Sequence, residues 1–240
     1  MKKTILTFII VLMFTAIFAF DALWQKAQEM AENSWMMVPG RTNFEMAFRQ
    51  GRIVNQDYGF KGEIVHTLME DKSVHNEIVS IEVREPGKDV QTLETFQDSD
   101  DFKEWSQQTN EDMTPSQENN IFLEKDTRNL RVRKQNQTRR IGRIECQSFD
   151  VRYTPSGRRA DRVEGTVWLN IETGAPVLAE MRIPMLDQTV TRDISYTHLP
   201  ETNQFVETRE VYTETRSFME MAMSIIITTT YSEHWEFPVE

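Results

Sequence analysis

The clearest hydrophobic pattern lies near the end of the chain. Met219, Met221, Met223, Ile225, Ile227 and Tyr231 take odd positions, while Glu220, Ala222, Ser224, Thr228 and Thr230 take most of the even ones. A period of two with one wide apolar face predicts a long, half-buried strand. Shorter runs repeat the theme: Phe44, Met46 and Phe48 on one face of 43–48, then 62–69, and 77–84 with Ile78, Val79, Ile81 and Val83. Leu130, Val132, Ile141, Ile144, Cys146, Phe149, Val151 and Tyr153 are spaced like paired strands. The sharpest hairpin joins 165–171 to 176–183 through Glu172-Thr173-Gly174-Ala175, with Val167, Leu169 and Ile171 on one face. Strands at 191–199 and 204–216 follow. A different period opens the chain. Leu23, Ala27, Met30, Ala31 and Ser34 recur at helical spacing, widened by Trp24 and Trp35. This predicts a helix over 21–37, with Asp21 as N-cap and Pro39-Gly40 as its end. One helix and about ten strands make the chain mainly β (α+β), with an antiparallel sheet that must curl or close to protect its edges.

Composition narrows the class. At 240 residues, 39% hydrophobic, the chain can build one large domain or two small ones. A formal net charge of -11 argues against nucleic acid as the main partner, because phosphate binding needs a basic surface. One Cys excludes an internal disulfide framework. Lys2 and Lys3, an apolar run from Ile5 to Phe18 and Ala19 at the small-residue position form the layout of a signal peptide over 1–19, so we expect a secreted protein of the bacterial periplasm. An uncleaved anchor is the competing reading. Residues 20–240 are expected to form a single domain, in which 97–120, with seven acids against one Lys, is an acidic mobile insertion. Charge is segregated: 125–162 carries 12 basic and 4 acidic side chains, whereas 163–240 carries 4 and 13. Basic strands neutralised by acidic neighbours explain this blandly; a basic face for anionic lipid or an acidic partner is the sharper alternative.

Candidate chemistry is sparse. His66, His75, His198 and His234 show no metal-ligand spacing. His66 and His75 can meet across a turn, most simply as a surface pair. No G-x-S-x-G elbow or Gly-rich phosphate loop occurs. Cys146 lies in an apolar strand without a nearby base, as a small buried hydrophobe does. Nothing argues for an enzyme, a metal or a cofactor. What remains is the methionine inventory, 13 in all, concentrated on the helix and the last strand. Ordinary core accounts for it; so does a cavity that accepts varied apolar ligands.

The segment Arg140-Ile-Gly-Arg-Ile-Glu-Cys-Gln-Ser-Phe-Asp-Val-Arg-Tyr, followed by Gly165-Thr-Val-Trp-Leu-Asn-Ile-Glu-Thr-Gly-Ala-Pro-Val-Leu-Ala-Glu, resembles the outer-membrane lipoprotein carrier superfamily (the LolA, LolB and RseB group). Asn170 stands where relatives carry Asp, and Leu178-Ala179-Glu180 where they carry K-x-E. Thr230 to Phe237 resembles their closing strand. The resemblance implies an unclosed half-barrel whose concave apolar face, covered by the N-terminal helix and a lid segment, accepts or senses lipoprotein acyl chains. The family's lid arginine has no single counterpart among Arg41, Arg49 and Arg52. On this reading the chain is a periplasmic carrier of lipid or lipoprotein acyl chains. Its lipid-binding cavity is expected to be lined by Met219, Met221, Met223, Ile225, Ile227, Val167, Leu169 and Ile171, with Trp24 and Met30 as lid contacts; a one-residue slip would invert the strand faces. The rivals are a sensor or scaffold of the same fold that grips an envelope protein, and a hydrolase built from distant carboxylates and His.

Overall fold

The computed structural model describes residues 21–51, 53–70, 73–99, 102–103, 120–126, 128–154, 162–184, 188–218 and 221–237. The expected leader, most of the expected acidic insertion and Met219 lie outside the described residues.

Asp21 starts helix α1 (Ala22–Ser34) by accepting the Leu23 N–H on Oδ1 at 3.0 Å. The expected stripe turns inward: Trp24, Ala27, Met30, Ala31 and Ser34 are buried. The helix stops before Trp35, three residues earlier than its pattern runs. There follow β1 (Met37–Val38), β2 (Arg41–Gln50), β3 (Ile53–Leu68), β4 (Val74–Arg84), β5 (Gln91–Thr92) and a single helical turn, α2 (Leu93–Phe96). After the insertion come β6 (Leu130–Ile141), β7 (Ile144–Tyr153), β8 (Val163–Asn170), β9 (Pro176–Pro184), β10 (Gln188–Leu199), β11 (Gln204–Phe218), β12 (Met221–Ser232) and β13 (Trp235–Glu236).

Eleven strands form one sheet in the order β5-β4-β3-β2-β12-β11-β10-β9-β8-β7-β6, every pair antiparallel. Paired strands are consecutive in the chain except at β2–β12, where Met46 stands opposite Ile227 and an N-terminal meander joins a C-terminal one. The outer strands, β5 and β6, do not pair with each other, so the sheet is an open half-barrel. Bulges at Ala47/Phe48, Glu63/Ile64, Trp168/Leu169 and Ser195/Tyr196 increase local twist and bend the strands. β1 and β13 form a separate two-stranded ribbon.

Helix α1 crosses the concave face over β8 and β11, and the space beneath it is filled by rings. Trp24 packs 5.3 Å from Phe122 and 5.8 Å from Phe149, and Phe122 reaches Phe205 at 5.5 Å. Val167, Leu169, Val151 and Met181 complete this core. Polar bonds pin both ends of the helix. Lys134 Nζ pairs with Asp21 at 2.7 Å. The Ser34 hydroxyl donates to the Met30 carbonyl at 2.6 Å and accepts the Phe205 N–H at 2.8 Å.

The β8–β9 turn supports the helix from below. Asn170 Oδ1 accepts the Glu172 N–H at 2.8 Å, which ends β8 in an Asx turn. Gly174 then takes φ +83°, and a Cβ there would meet the Lys26 Cβ at 2.6 Å. Both the backbone and the helix therefore demand glycine. Gly174→Ala is expected to cost about 1–3 kcal/mol in urea unfolding, from left-handed strain plus displacement of α1. A loss within error would show that the helix is not seated on this turn.

Candidate functional site

Strand register divides the concave face into three zones. The first, over β6 to β9 and the Tyr196–Phe205 end of β10 and β11, is closed by α1 and its rings. The second lies on β10 and β11 and is ionic. The third lies on β12, β2, β3 and β4 and is apolar and half-exposed.

The ionic zone arises from parity. Ile194 points into the core, and its partners and neighbours Arg192, Glu210, Tyr212 and Glu214 share its face. Arg192 Nε donates to Glu210 Oε1 at 2.5 Å, and the Tyr231 hydroxyl donates to Glu210 Oε2 at 3.4 Å. The Glu210 side chain is only 14% exposed, that of Arg192 44%. Burial works against the Arg192 charge, but the Glu210 hydrogen bond and the charges of Glu210 and Glu207 outweigh it and raise its pKa. Burial pushes the Tyr231 hydroxyl well up, and neighbouring Glu210 and Glu207 add to the effect. Glu207 stands beside this pair, on the wall of a cavity of about 390 Å³ together with Trp35, Val38, Phe205, Tyr231 and His234. Partial desolvation by these groups raises its carboxyl pKa, Glu210 raises it further and Arg192 opposes them, although the residue as a whole stays exposed. A carboxyl whose folded pKa lies above its unfolded value destabilises the fold as pH rises through that range. Because solvent screens an exposed side chain, Glu207→Gln is expected to raise the melting temperature at pH 7 only slightly, with the gain vanishing below about pH 4, the ordinary carboxylate range. A gain equal at both pH values would place the effect elsewhere.

The apolar zone is built across the β2–β12 seam. Ile225 stands opposite Phe48, and Ile227 opposite Met46, which faces Phe60 on β3. Phe44 lies over Gly62, where a Cβ would meet the Phe44 ring at 2.6 Å, and stacks on Phe60 with centroids 5.2 Å apart. Phe48 meets Tyr58 edge-on at 4.5 Å. Ile81 and Val83 extend the same face on β4. Most of these side chains are half-buried, and no helix among the described residues covers them.

The expected cavity residues are distributed unevenly over these zones. Ile225 and Ile227 lie in the open apolar strip. Val167 and Leu169 do not line a space: they are fully buried beneath α1. Trp24 and Met30 are likewise packed core rather than lid contacts, because Phe122, Phe149 and Phe205 occupy the volume a chain would need. Ile171 is outside β8 and 37% exposed, since the Asx turn has already ended the strand. Met223 is 53% exposed near the end of β12. Met221 pairs with Phe218 by its backbone, and Met219 falls outside the described residues. Phe44, Met46, Phe48 and Phe60 are the members that sequence did not assign to the site, although the alternation of 43–48 marks three of them as one face.

Other candidates resolve into structure. His66 is buried, not a surface partner of His75: it bonds Thr42 Oγ1 at 2.9 Å and Asn76 Oδ1 at 2.8 Å. Cys146 is buried in a small cluster with Trp168 and Val177, and burial raises its thiol pKa. The hairpin motif closes on itself on the convex face. Trp168 Nε1 donates to Glu180 Oε2 at 2.6 Å, and the Arg139 guanidinium lies 4.1 Å above the indole.

The fold and the strip define an open half-barrel with a partly uncovered concave face. No family model and no curated protein matches the chain. Among solved structures it is similar to a LolA superfamily protein from Nitrosomonas europaea, at 12% identity over 91% of this chain and 94% of that one, with a TM-score of 0.33. A putative outer membrane lipoprotein-sorting protein domain from Vibrio parahaemolyticus gives 10% identity, 90% and 95% coverage, and a TM-score of 0.35. The MucA/MucB complex from Pseudomonas aeruginosa gives 7%, 90% and 99%, and 0.26. These include members of the superfamily that residues 140–180 resemble.

Proposed function

We propose that the protein is a non-enzymatic binding protein of the bacterial periplasm, of the lipoprotein-sorting type, that holds lipid or the acyl chains of lipoproteins. One observation carries the reading: a continuous, half-exposed apolar strip on β2, β3, β4 and β12, bordered by an ionic belt that sets its edge. Burying methylenes drives loading at about 0.8 kcal/mol each. About ten methylenes thus gain about 8 kcal/mol, comparable with the cost of immobilising a ligand, so long or paired chains are favoured over short ones. A fluorescent fatty-acid probe tests this. Saturable binding, displaced by long-chain but not short-chain lipids, is expected; a signal unchanged by any lipid counts against the site.

A second reading is supported by the packing under α1. Because Trp24 and its ring neighbours fill that half, the remaining strip is shallow, and apolar side chains of an envelope protein would fit it as well. A sensor or scaffold of this kind would bind its partner with no lipid present.

A further inference from the structure

The convex face carries a feature that the concave groove does not use. Arg131 on β6 stands directly opposite Arg152 on β7, and Glu164 on β8 follows in the same row. Like charges directly opposite across strands are unfavourable, so the pairing calls for a compensating anion. Arg128, Arg131, Arg152 and Arg162 surround a pocket of about 400 Å³ with Asn129 and Thr154. Its corner is held by the Thr154 N–H, which donates to the Asn129 carbonyl at 2.9 Å.

The acids among the described residues do not neutralise this pocket. Asp126 is taken by Arg128, at 2.6 Å to Nη2 and 3.0 Å to Nε, and these bonds hold its carboxyl down at about 2. Glu164 is shared: it bonds Arg162 and lies 3.9 Å from Arg152. Arg131 has no ion pair among the described residues. The Nε of Arg162 is buried, with no hydrogen-bond partner among the described residues. Among the described residues three guanidiniums therefore face one carboxylate, in a chain whose net charge is -11. Guanidinium forks match oxyanions in geometry, and two uncompensated charges suit an anion near -2 with several acceptor oxygens.

We propose that Arg131, Arg152 and Arg162 form a phosphate-binding site on the convex face, opposite the concave groove. Free phosphate and a lipid headgroup share this chemistry. The site stands apart from the carrier reading, since it needs no acyl chain.

The test is calorimetric titration of the full chain with inorganic phosphate, at an ionic strength fixed with sodium chloride. One saturable phosphate per chain is expected. Arg131→Gln with Arg152→Gln is expected to weaken it by about ten-fold or more, since each lost charge-assisted bond is worth about one decade. Arg143→Gln, at the exposed β6–β7 tip, is expected to leave it unchanged. In chloride alone, Arg131→Gln is expected to melt above the wild type, because it relieves the Arg131–Arg152 repulsion; this readout survives if the double variant folds poorly. Sedimentation with phosphatidylcholine vesicles, with and without phosphatidylglycerol, separates the sources. Arginine-dependent capture by the anionic vesicles assigns a headgroup, and phosphate binding without capture assigns free phosphate. The proposal is overturned by heats no larger than those of chloride, by equal weakening in Arg143→Gln, or by an acidic peptide that binds through these arginines where phosphate does not.

Discussion

Trp24→Ala is expected to remove about 3–5 kcal/mol of stability. The indole is 0% exposed and touches Phe122 and Phe149, which come from the loop before β6 and from β7. Phe122 in turn touches Phe205 on β11. Truncation would leave a cavity walled by Phe149 on sheet-paired β7, with only the Phe122 loop able to relax into it, so collapse is limited. One favourable term offsets part of the loss: the Trp24 Nε1–H is buried without an acceptor among the described residues, and its removal relieves that cost. Trp24→Phe should accordingly lose less than half as much. Denaturant unfolding of the three proteins checks the order. A loss for Trp24→Ala near that of an exposed site would mean that α1 is only loosely docked.

The second large effect concerns ligand. Ile227 lies at the middle of the open strip, between Tyr212 and Met46, and is only half-buried. Ile227→Asp places a short carboxylate that cannot reach round the strand to water once a chain covers it. Lipid-probe affinity is expected to fall by about 10- to 100-fold, because desolvating a polar or charged group without a partner costs at least about 1–3 kcal/mol. Ile227→Thr keeps the β-branched shape and should fall less. Unfolding curves of both variants distinguish lost affinity from lost fold. If Ile227→Asp binds the probe as the wild type does, the strip is not the site.

Local patterning made much of the architecture legible. The period-two runs placed most of the main strands to within a few residues, although β3 begins at Ile53, nine residues before the expected 62–69, and the inward stripe of α1 was readable from Leu23 to Ser34. Hairpins could be inferred because a turn joins consecutive strands. The β2–β12 seam could not, since pairing residues 46 and 227 depends on how two meanders meet and leaves no local mark. That seam creates the apolar strip, so half of the candidate site was hidden with it. Phe122 was hidden for another reason. It sits in a three-residue apolar run, Ile121-Phe122-Leu123, beside an acidic stretch, and only its contact with Trp24 reveals it as core. The ionic belt follows from the bulge at Ser195/Tyr196, which brings Glu207 and Glu210 to one face despite their opposite parity. A single inserted residue of this kind defeats alternation counting.

The central claim is that the open concave strip holds an acyl chain. Native mass spectrometry of the chain purified from a bacterial periplasm, followed by solvent extraction, tests it most directly. The account predicts a bound mass that extracts as phospholipid or another acyl lipid and that is depleted in Ile227→Asp. A bare protein mass, unchanged after incubation with lipids and lipopeptides, would contradict it and leave the strip to a protein partner.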